Sequence, residues 1–210
     1  MVSALIFDLD NCLAASDELG RALLEPVFYA VRQANHGRLS EEELEAAFRD
    51  CWIYGFDKVV ERHGFSSEMR EMGWRAFARI EVREPMCGYG DLGELPALGE
   101  RRFLVTSGFR RLQESKVRAL GIGGAFDEVV IDALDEPDRR GKECVFAELL
   151  AKYRLAPADV LVVGDDPESE LAAARKLGLA AVQMVRPGVR PEDGLPRVHG
   201  LRELREMLSE

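Results

Sequence analysis

The chain has 210 residues, of which 47% are hydrophobic, and it carries a formal net charge of -10. This size and composition suit one globular domain with a real core, or one domain that carries an insertion. The acidic balance argues against a nucleic-acid partner, because phosphate backbones are bound by clustered Lys and Arg, but it allows a small phosphorylated substrate.

The cysteines and the N-terminus indicate the compartment. The four cysteines are Cys12, Cys51, Cys87 and Cys144. They form no CxxC pair, and the histidines show no zinc-ligand spacing with them, so we expect free thiols in a reducing compartment. The N-terminus resembles no signal peptide, and no stretch approaches the length of a membrane span. We therefore expect a cytoplasmic protein without a membrane partner.

The first predicted strand, "ALIF" at residues 4–7, runs directly into Asp8 and Asp10. Two carboxylates this close repel each other unless a cation lies beside them. The next β-rich run starts only at residue 102. The intervening residues 15–87 instead carry helical patterns, including "LSEEELEAAFRDC", with a capping box at Ser40 and Glu43, and "SSEMREMGWRAFARIEV". They predict a helical insertion after strand 1 that forms a small second domain.

Four further runs follow: "RFLVT" (102–106), "EVVI" (128–131), "VLVVG" (160–164) and "AAVQMV" (180–185). None alternates with polar residues, which is typical of strands buried on both faces of a parallel sheet. Helical patterns separate them and end near Gly121, Leu155 and Gly178, glycine after the last periodic residue being a helix stop signal. The pattern predicts an α/β fold with a doubly wound parallel sheet.

Two remaining segments are interpreted as connections. "GYGDLG" at residues 88–93 matches the glycine spacing of a dinucleotide fingerprint, but that fingerprint must follow a strand and open a helix. Here a predicted helix end precedes it and Pro96 follows, so we expect a return from the insertion to the core. Residues 186–196 are rich in Pro and Gly and predict a loop before a last helix.

Polar side chains follow the ends of several predicted strands. Asp8 and Asp10 follow the first, Thr106 and Ser107 end the second, and Asp165 and Asp166 follow "VLVVG", while Lys142 lies just before a helix. Ligands of open α/β sheets bind at the carboxyl ends of the strands. Each residue alone fits a turn, a cap or a solvated surface, but together they predict one crevice of carboxylates, hydroxyls and an ammonium.

The segments "FDLDNCL", "LVTSG", "GK" and "VVGDDPESE" occur in the order and approximate spacing of the four motifs of the haloacid dehalogenase superfamily, which the chain resembles over nearly its whole length. The resemblance implies a Rossmann-like core with strand order 3-2-1-4-5 at residues 1–14 and 88–210. It also implies an all-helical cap of the C1 type at residues 15–87. Most members hydrolyse phosphate monoesters with Mg²⁺, so it implies that cofactor and a small phosphorylated metabolite as substrate.

The resemblance also implies residue roles. Asp8 is expected to attack phosphorus and form an aspartyl-phosphate. Asp10 is expected to protonate the leaving alcohol and then to activate water. Thr106 and the backbone amide of Ser107 are expected to hold phosphoryl oxygens, and Lys142 to neutralise charge on the nucleophile and the phosphoryl group.

The expected Mg²⁺ ligands are the carboxylates of Asp8 and Asp165 and the backbone carbonyl of Asp10, a hard oxygen set that suits magnesium. Asp166 and Glu170 are expected to support the metal and Lys142 from a second layer. A cation at this position would explain why carboxylates crowd the end of the first strand.

The first motif departs from the common DxDGT at two positions, Asn11 and Cys12. Other members of the superfamily also have Asn at the position of Asn11. Cys12 removes a hydroxyl that usually helps to orient the general acid, because a thiol is a weak donor, so slower chemistry or a different local hydrogen bond is expected. Glu170 stands where many relatives have Asp. Asp10 itself favours phosphoryl transfer over carbon–halogen cleavage, since the dehalogenase branch lacks it.

Three alternatives remain at the level of sequence. A phosphoacceptor signalling domain would also combine acidic residues, Thr or Ser and Lys, with Asp132 after the third strand as its acceptor. A catalytically silent binding module and a phosphomutase of the same fold are the others. The sequence indicates neither the particular substrate nor the oligomeric state.

Overall fold

A computed structural model describes residues 2–209, apart from the side chain of Asp17. Its centre is a six-stranded parallel sheet with the order β3-β2-β1-β4-β5-β6. The strands are β1 (Ala4–Phe7), β2 (Arg101–Gly108), β3 (Glu128–Ala133), β4 (Val160–Gly164), β5 (Ala180–Met184) and β6 (Arg197–Val198). The predicted strands all form, and the predicted order 3-2-1-4-5 is confirmed. The sixth strand was not predicted, because two residues directly after a Pro- and Gly-rich loop carry no periodic signal.

Helices cover both faces of the sheet. The helices that follow β2 in the chain are α5 (Arg110–Leu120), α6 (Lys142–Tyr153), α7 (Glu170–Leu177) and α8 (Leu201–Ser209). Two of them stop at the predicted glycines, Gly121 with φ 67° and Gly178 with φ 68°, a left-handed conformation that glycine adopts without a Cβ clash. The helix expected to run to Leu155 ends two residues earlier, at Tyr153.

Alternate residues of the central strand supply two hydrophobic clusters. Ala4 and Ile6 pack with α6 and α7 on one face, and Leu5 and Phe7 pack into the larger cluster on the other. All four β1 residues are buried. This two-sided burial explains why the strands read as continuous apolar runs rather than as alternating ones.

Residues 15–87 lie between β1 and β2, and their described backbone contains helices and turns without a strand. Their α-helices are α1 (Glu25–Gln33), α2 (Glu41–Asp50), α3 (Phe56–Arg62) and α4 (Ser67–Phe77). Gly73 lets α4 pack closely, since a Cβ there would lie 2.3 Å from the Phe56 ring and 2.9 Å from Val31. The assignment of this segment to an independent cap domain stays a prediction.

Two contacts tie the helical segment to the rest of the chain. The carboxylate of Glu18 accepts hydrogen bonds from the backbone N–H groups of Cys87 and Gly88, at 2.6 and 2.8 Å, so it joins the outgoing and returning connections. The ring of Phe77 stacks on that of Phe109, with centroids 4.9 Å apart. These contacts place the helical segment over the carboxyl end of the sheet.

Residues 88–93 do not form the strand–turn–helix of a dinucleotide site. Residues 88–90 lie in a turn with positive φ at Gly88 and Gly90, and a short 3-10 helix follows at Leu92–Ala97. All four cysteines are free thiols. Among the described residues, no helix is both long and apolar enough to cross a membrane.

The predicted capping box opens α2. The Glu43 N–H donates to Ser40 Oγ at 3.3 Å, and the Ser40 N–H donates to Glu43 Oε2 at 2.7 Å. We expect Ser40→Ala to lower the free energy of unfolding by about 1 kcal/mol, because it leaves a helix N–H without its partner. Urea denaturation measures this. Ser67→Ala, at an exposed serine inside α4, is the matched control and should stay within about 0.5 kcal/mol of the parent; equal effects of both substitutions would contradict the prediction.

Candidate active site

The sheet brings the predicted site residues to one edge. β1 lies between β2 and β4, and the three strands are parallel. The carboxyl end of the sheet therefore holds Asp8 after β1, Thr106 in β2 and Asp165 after β4. The Asp8 N–H donates to the carbonyl of Val163 at 2.9 Å, which extends the strand pairing up to the acidic residue. A single pocket is lined by Asp8 and by every other residue predicted to act there: Asp10, Thr106, Ser107, Lys142, Asp165, Asp166 and Glu170.

A buried lysine joins two carboxylates at the centre of the site. Lys142 Nζ lies 2.7 Å from Asp8 Oδ1 and 2.7 Å from Glu170 Oε2. The three side chains are almost fully buried, with exposed fractions of 7%, 8% and 1%. Although burial alone lowers the pKa of Lys142, the charges of Asp8 and Glu170 raise it above its ordinary value, so its ammonium form is favoured.

Glu170 reaches this centre because Gly164 leaves room for it. A Cβ at Gly164 would lie 2.2 Å from Glu170 Oε1, which is closer than two such atoms can approach. The same oxygen accepts the N–H of Asp166 at 2.7 Å. Glu170 therefore pairs with Lys142, and it also orders the turn that carries Asp165 and Asp166. Its expected role beside a metal stays a prediction.

Asp8, Asp165 and Glu170 form a group that suits a metal ion, with one oxygen of each within 4.8 Å of the others. In the metal-free chain, burial raises the pKa of Asp8 from its ordinary value of 3.8 to about 7, although Lys142 opposes the shift. Burial, followed by the charges of Glu170 and Asp8, raises the pKa of Asp165 to about 9. When all three carboxyl groups are ionised, they exceed the single ammonium by two negative charges, which a hard divalent cation would balance. Mg²⁺ therefore fits this donor set.

The carboxylate of Asp10 lies apart from that group and is held by helix α5. Lys116 Nζ lies 2.6 Å from Asp10 Oδ1, and Gln113 Nε2 lies 2.9 Å from Asp10 Oδ2. The metal ligand expected from this residue is its backbone carbonyl, so the position of the carboxylate leaves that expectation as a prediction.

Gln113 and Lys116 are the site residues that the sequence reasoning missed. Both lie on the buried face of α5, three residues apart, beside Leu112 and Val117. A lysine on the apolar face of an amphipathic helix is a signal in the sequence, but a helical lysine is ordinarily solvated, and only the packing reveals its partner.

Thr106 and Ser107 have different surroundings. Thr106 is buried and its Oγ1 lies 2.6 Å from Gln113 Nε2. The Ser107 hydroxyl donates to Asp132 Oδ2 at 3.2 Å, which directs that side chain towards β3. The role expected of Ser107 concerns its backbone amide and not its hydroxyl, and it stays a prediction.

Asp132 fixes the loop that carries Lys142. Its carboxylate accepts the N–H groups of Arg140 and Gly141, at 3.1 and 2.9 Å, and an N–H of the Arg139 guanidinium at 3.2 Å. Although burial opposes it, these hydrogen bonds lower the pKa of Asp132. Gly141, with φ 81°, is the residue directly before α6, and Lys142 is the first residue of that helix. Asp132 thus has a structural partner at each oxygen.

The two departures in the first motif have local explanations. Asn11 has φ 54°, in the left-handed region where glycine is favoured and asparagine is tolerated. Cys12 is buried, its Sγ lies 3.7 Å from the carbonyl of Val163, and burial raises the pKa of its thiol. The Asp10 carboxylate has its hydrogen bonds with Lys116 and Gln113 of α5. The expected effect of Cys12 on the reaction stays a prediction.

The helical segment closes the pocket from the other side. Trp52, Ile53 and Tyr54 line it, and two ion pairs cross its mouth. Arg139 lies 2.8 Å from Asp57 and Lys58 lies 3.6 Å from Asp166, with side chains between 33% and 46% exposed. The Asp166 carboxylate therefore faces Lys58 of the helical segment, and it also accepts the Glu168 N–H at 2.8 Å; its described contacts do not include Lys142.

Known proteins are similar to this chain in sequence. The model of the haloacid dehalogenase-like hydrolases matches residues 2–178. A phosphoserine phosphatase of Thermus thermophilus is 31% identical over 180 residues, which are 80% of this chain and 69% of that protein. A glyceraldehyde 3-phosphate phosphatase of Methanopyrus kandleri is 27% identical over 202 residues, which are 89% of this chain and 85% of that protein.

A solved structure has the same fold. The crystal structure of a HAD phosphatase from Thermococcus onnurineus matches with a TM-score of 0.65 and 21% identity, over 99% of this chain and 98% of that one. Because the family model covers most of the chain, and because the sheet order agrees, the resemblance expected from the four motifs is confirmed: the chain belongs to the haloacid dehalogenase-like hydrolases.

Proposed function

We propose that the chain is a Mg²⁺-dependent phosphatase that hydrolyses a small phosphate monoester through an aspartyl-phosphate on Asp8. The observation that carries the proposal is the buried Asp8–Lys142 pair at 2.7 Å, placed beside Asp165 at the carboxyl end of the sheet. A carboxylate held by an ammonium and kept from bulk water is a suitable nucleophile towards phosphorus. Membership of a hydrolase family and the names of the two phosphatase relatives support the same reaction.

The proposed reaction has two steps. Asp10 enters the first step in its protonated form, its proton having come from solvent or from the water of the preceding turnover. A carboxylate oxygen of Asp8 then forms a bond to phosphorus, the bond from phosphorus to the leaving oxygen breaks, and that oxygen takes the proton from Asp10. In the second, water attacks the same phosphorus, gives a proton to Asp10, and the bond from phosphorus to Asp8 breaks. The products are an alcohol and inorganic phosphate, and Asp8 and Asp10 return to their starting states.

Other side chains stabilise the charge that develops. Lys142, bonded to Asp8, faces the phosphoryl oxygens as they acquire negative charge, and the hydroxyl of Thr106 and the backbone amide of Ser107 donate to them. Asp8, Asp165 and the backbone carbonyl of Asp10 would hold Mg²⁺, with Glu170 beside them. When bound, Mg²⁺ supplies charge stabilisation to the phosphoryl oxygens as a Lewis acid.

The substrate class is that of a small phosphorylated metabolite. The two relatives are named for phosphoserine and for glyceraldehyde 3-phosphate, which are both small phosphate monoesters. The pocket wall from Trp52 to Tyr54 and the cations of Lys58 and Arg139 surround the space left for the rest of the substrate. A location in the cytoplasm stays a prediction, with which the four free thiols agree.

The contacts of Asp132 count against a phosphoacceptor signalling domain. Its two oxygens hold the loop before Lys142, so it has a role without phosphorylation. Release of inorganic phosphate, measured beside transfer of the phosphoryl group to a sugar phosphate, separates hydrolysis from a phosphomutase. A folded, Mg²⁺-supplied chain that binds phosphate without turnover would indicate a silent binding module.

The first test is hydrolysis of 4-nitrophenyl phosphate with Mg²⁺ and with EDTA. We expect Asp8→Asn to lower kcat by on the order of 10³-fold or more, because removal of a nucleophile has cost up to about 10⁶-fold in other enzymes. EDTA should abolish turnover in the parent. Asp193→Asn, the same substitution at an exposed loop residue, is the control and should keep full activity. Turnover that survives both EDTA and Asp8→Asn would overturn the proposal.

The raised pKa values of Asp8 and Asp165 make stability depend on pH. A carboxyl whose pKa is higher in the folded chain than in the unfolded chain contributes stability that is complete below the unfolded value of 3.8 and is lost as the pH rises through the folded value. We therefore expect the Tm of the metal-free chain to fall between pH 5 and pH 9, through the values of about 7 and about 9.

Mg²⁺ should reverse that fall, because it binds the ionised carboxylates. At about 100 times its Kd a ligand stabilises by about 2.7 kcal/mol, which raises the Tm of a chain of this size by about 5–10 °C. Thermal denaturation should show a larger Mg²⁺ effect at pH 8 than at pH 5.5, and a smaller effect in Asp165→Asn. An effect that is independent of pH and of Asp165 would mean that Mg²⁺ binds elsewhere.

A further inference from the structure

Two side chains of α5 hold the carboxylate of Asp10, and neither belongs to the four motifs of the superfamily. Lys116 Nζ lies 2.6 Å from Oδ1 and Gln113 Nε2 lies 2.9 Å from Oδ2. The Lys116 side chain is 9% exposed, and Gln113 is 1% exposed. A buried lysine is costly unless it is paired, and Asp10 supplies that pair.

The hydrogen-bond chemistry fixes the orientation of the Gln113 amide. While Asp10 is ionised its oxygens only accept, so the nitrogen of the amide, and not its oxygen, faces Asp10. The same nitrogen lies 2.6 Å from Thr106 Oγ1, so its two hydrogens serve Asp10 and Thr106. Because Thr106 Oγ1 accepts here, its own hydroxyl hydrogen is directed to another acceptor.

Gly108 makes the space that this arrangement needs. A Cβ at Gly108 would lie 2.8 Å from the Cδ and Cγ atoms of Gln113, so any larger residue would push the amide aside. Gly108 ends β2 just before α5 begins at Arg110, which places Gln113 one helical turn from the strand end. The end of β2 and the first turns of α5 therefore form one arrangement around Asp10.

We propose that Gln113 and Lys116 are positioning residues of the reaction. They orient Asp10 for proton transfer with the leaving oxygen, and Gln113 also directs the Thr106 hydroxyl towards a phosphoryl oxygen. This inference rests on the proposed function, in which Asp10 carries the proton. Lys116 and Gln113 neither gain nor lose a proton, and each oxygen of Asp10 keeps a further lone pair on which the transferred proton can reside.

If Gln113 and Lys116 position Asp10, the effect of substituting either residue depends on the leaving group. Phenyl phosphate and 4-nitrophenyl phosphate have nearly the same shape, but phenolate is the stronger base and needs the proton of Asp10 more. Because kcat/KM includes the steps up to the first chemical transfer, it reports departure of that group. A side chain that only stabilises the fold would lower both values by the same factor.

We expect Lys116→Met to lower kcat/KM for phenyl phosphate by about 10-fold to 100-fold more than for 4-nitrophenyl phosphate, the scale of loss that follows misplacement of a catalytic group. Lys116→Arg should restore most of the difference, because it returns a cation to Asp10. Lys152→Met removes an exposed lysine from the surface pair with Glu128 and should leave kcat/KM unchanged for both substrates.

Gln113→Leu provides a second measurement if Lys116→Met does not fold. It should show the same preference for 4-nitrophenyl phosphate and should also weaken inhibition by inorganic phosphate, which Thr106 is proposed to bind. Circular dichroism and Tm establish that each variant is folded. The inference would be overturned if folded variants at both positions lowered kcat/KM by the same factor for the two substrates, or did not lower it at all. A parent that hydrolyses neither substrate with Mg²⁺ would overturn the proposed function instead.

Discussion

The buried bridge from Lys142 to Asp8 and Glu170 is the interaction on which the rest of the site depends. Charges taken out of water are costly unless their geometry and their hydrogen bonds compensate, so the chain must hold all three atoms in place. It does so from three directions. The central strand delivers Asp8, the loop held by Asp132 delivers Lys142, and the space above Gly164 admits Glu170. The parallel sheet brings these directions together at one edge.

The sequence allowed the sheet to be predicted because its strands are buried on both faces and so appear as short apolar runs. The strand ends then indicated Asp8, Thr106 and Asp165, because ligands of open α/β sheets bind at the carboxyl ends of the strands. The two-residue strand β6 escaped, because its pairing with β5 comes from tertiary packing and not from a local pattern.

Gln113 and Lys116 escaped for a different reason. Their importance arises from a partner, Asp10, that lies more than 100 residues away in the chain, and a helix pattern alone does not specify such a partner. Cys12 was one signal in the sequence, since it lacks the hydroxyl that was expected to orient Asp10. The hydrogen bonds that Asp10 does receive come from Gln113 and Lys116 of α5. The site is therefore shared between its motifs and a helix outside them.

The mouth of the pocket differs from its floor in electrostatic cost. The floor has buried charges whose separation would leave an ion without water or partner. The pairs Arg139–Asp57 and Lys58–Asp166 at the mouth are partly exposed, and pairs of that kind contribute only about 0–1 kcal/mol. Water and salt can therefore replace them at little cost. An anionic ligand can enter by exchanging partners with Lys58 and Arg139, and phosphate can leave the same way, while the Lys142 centre stays intact.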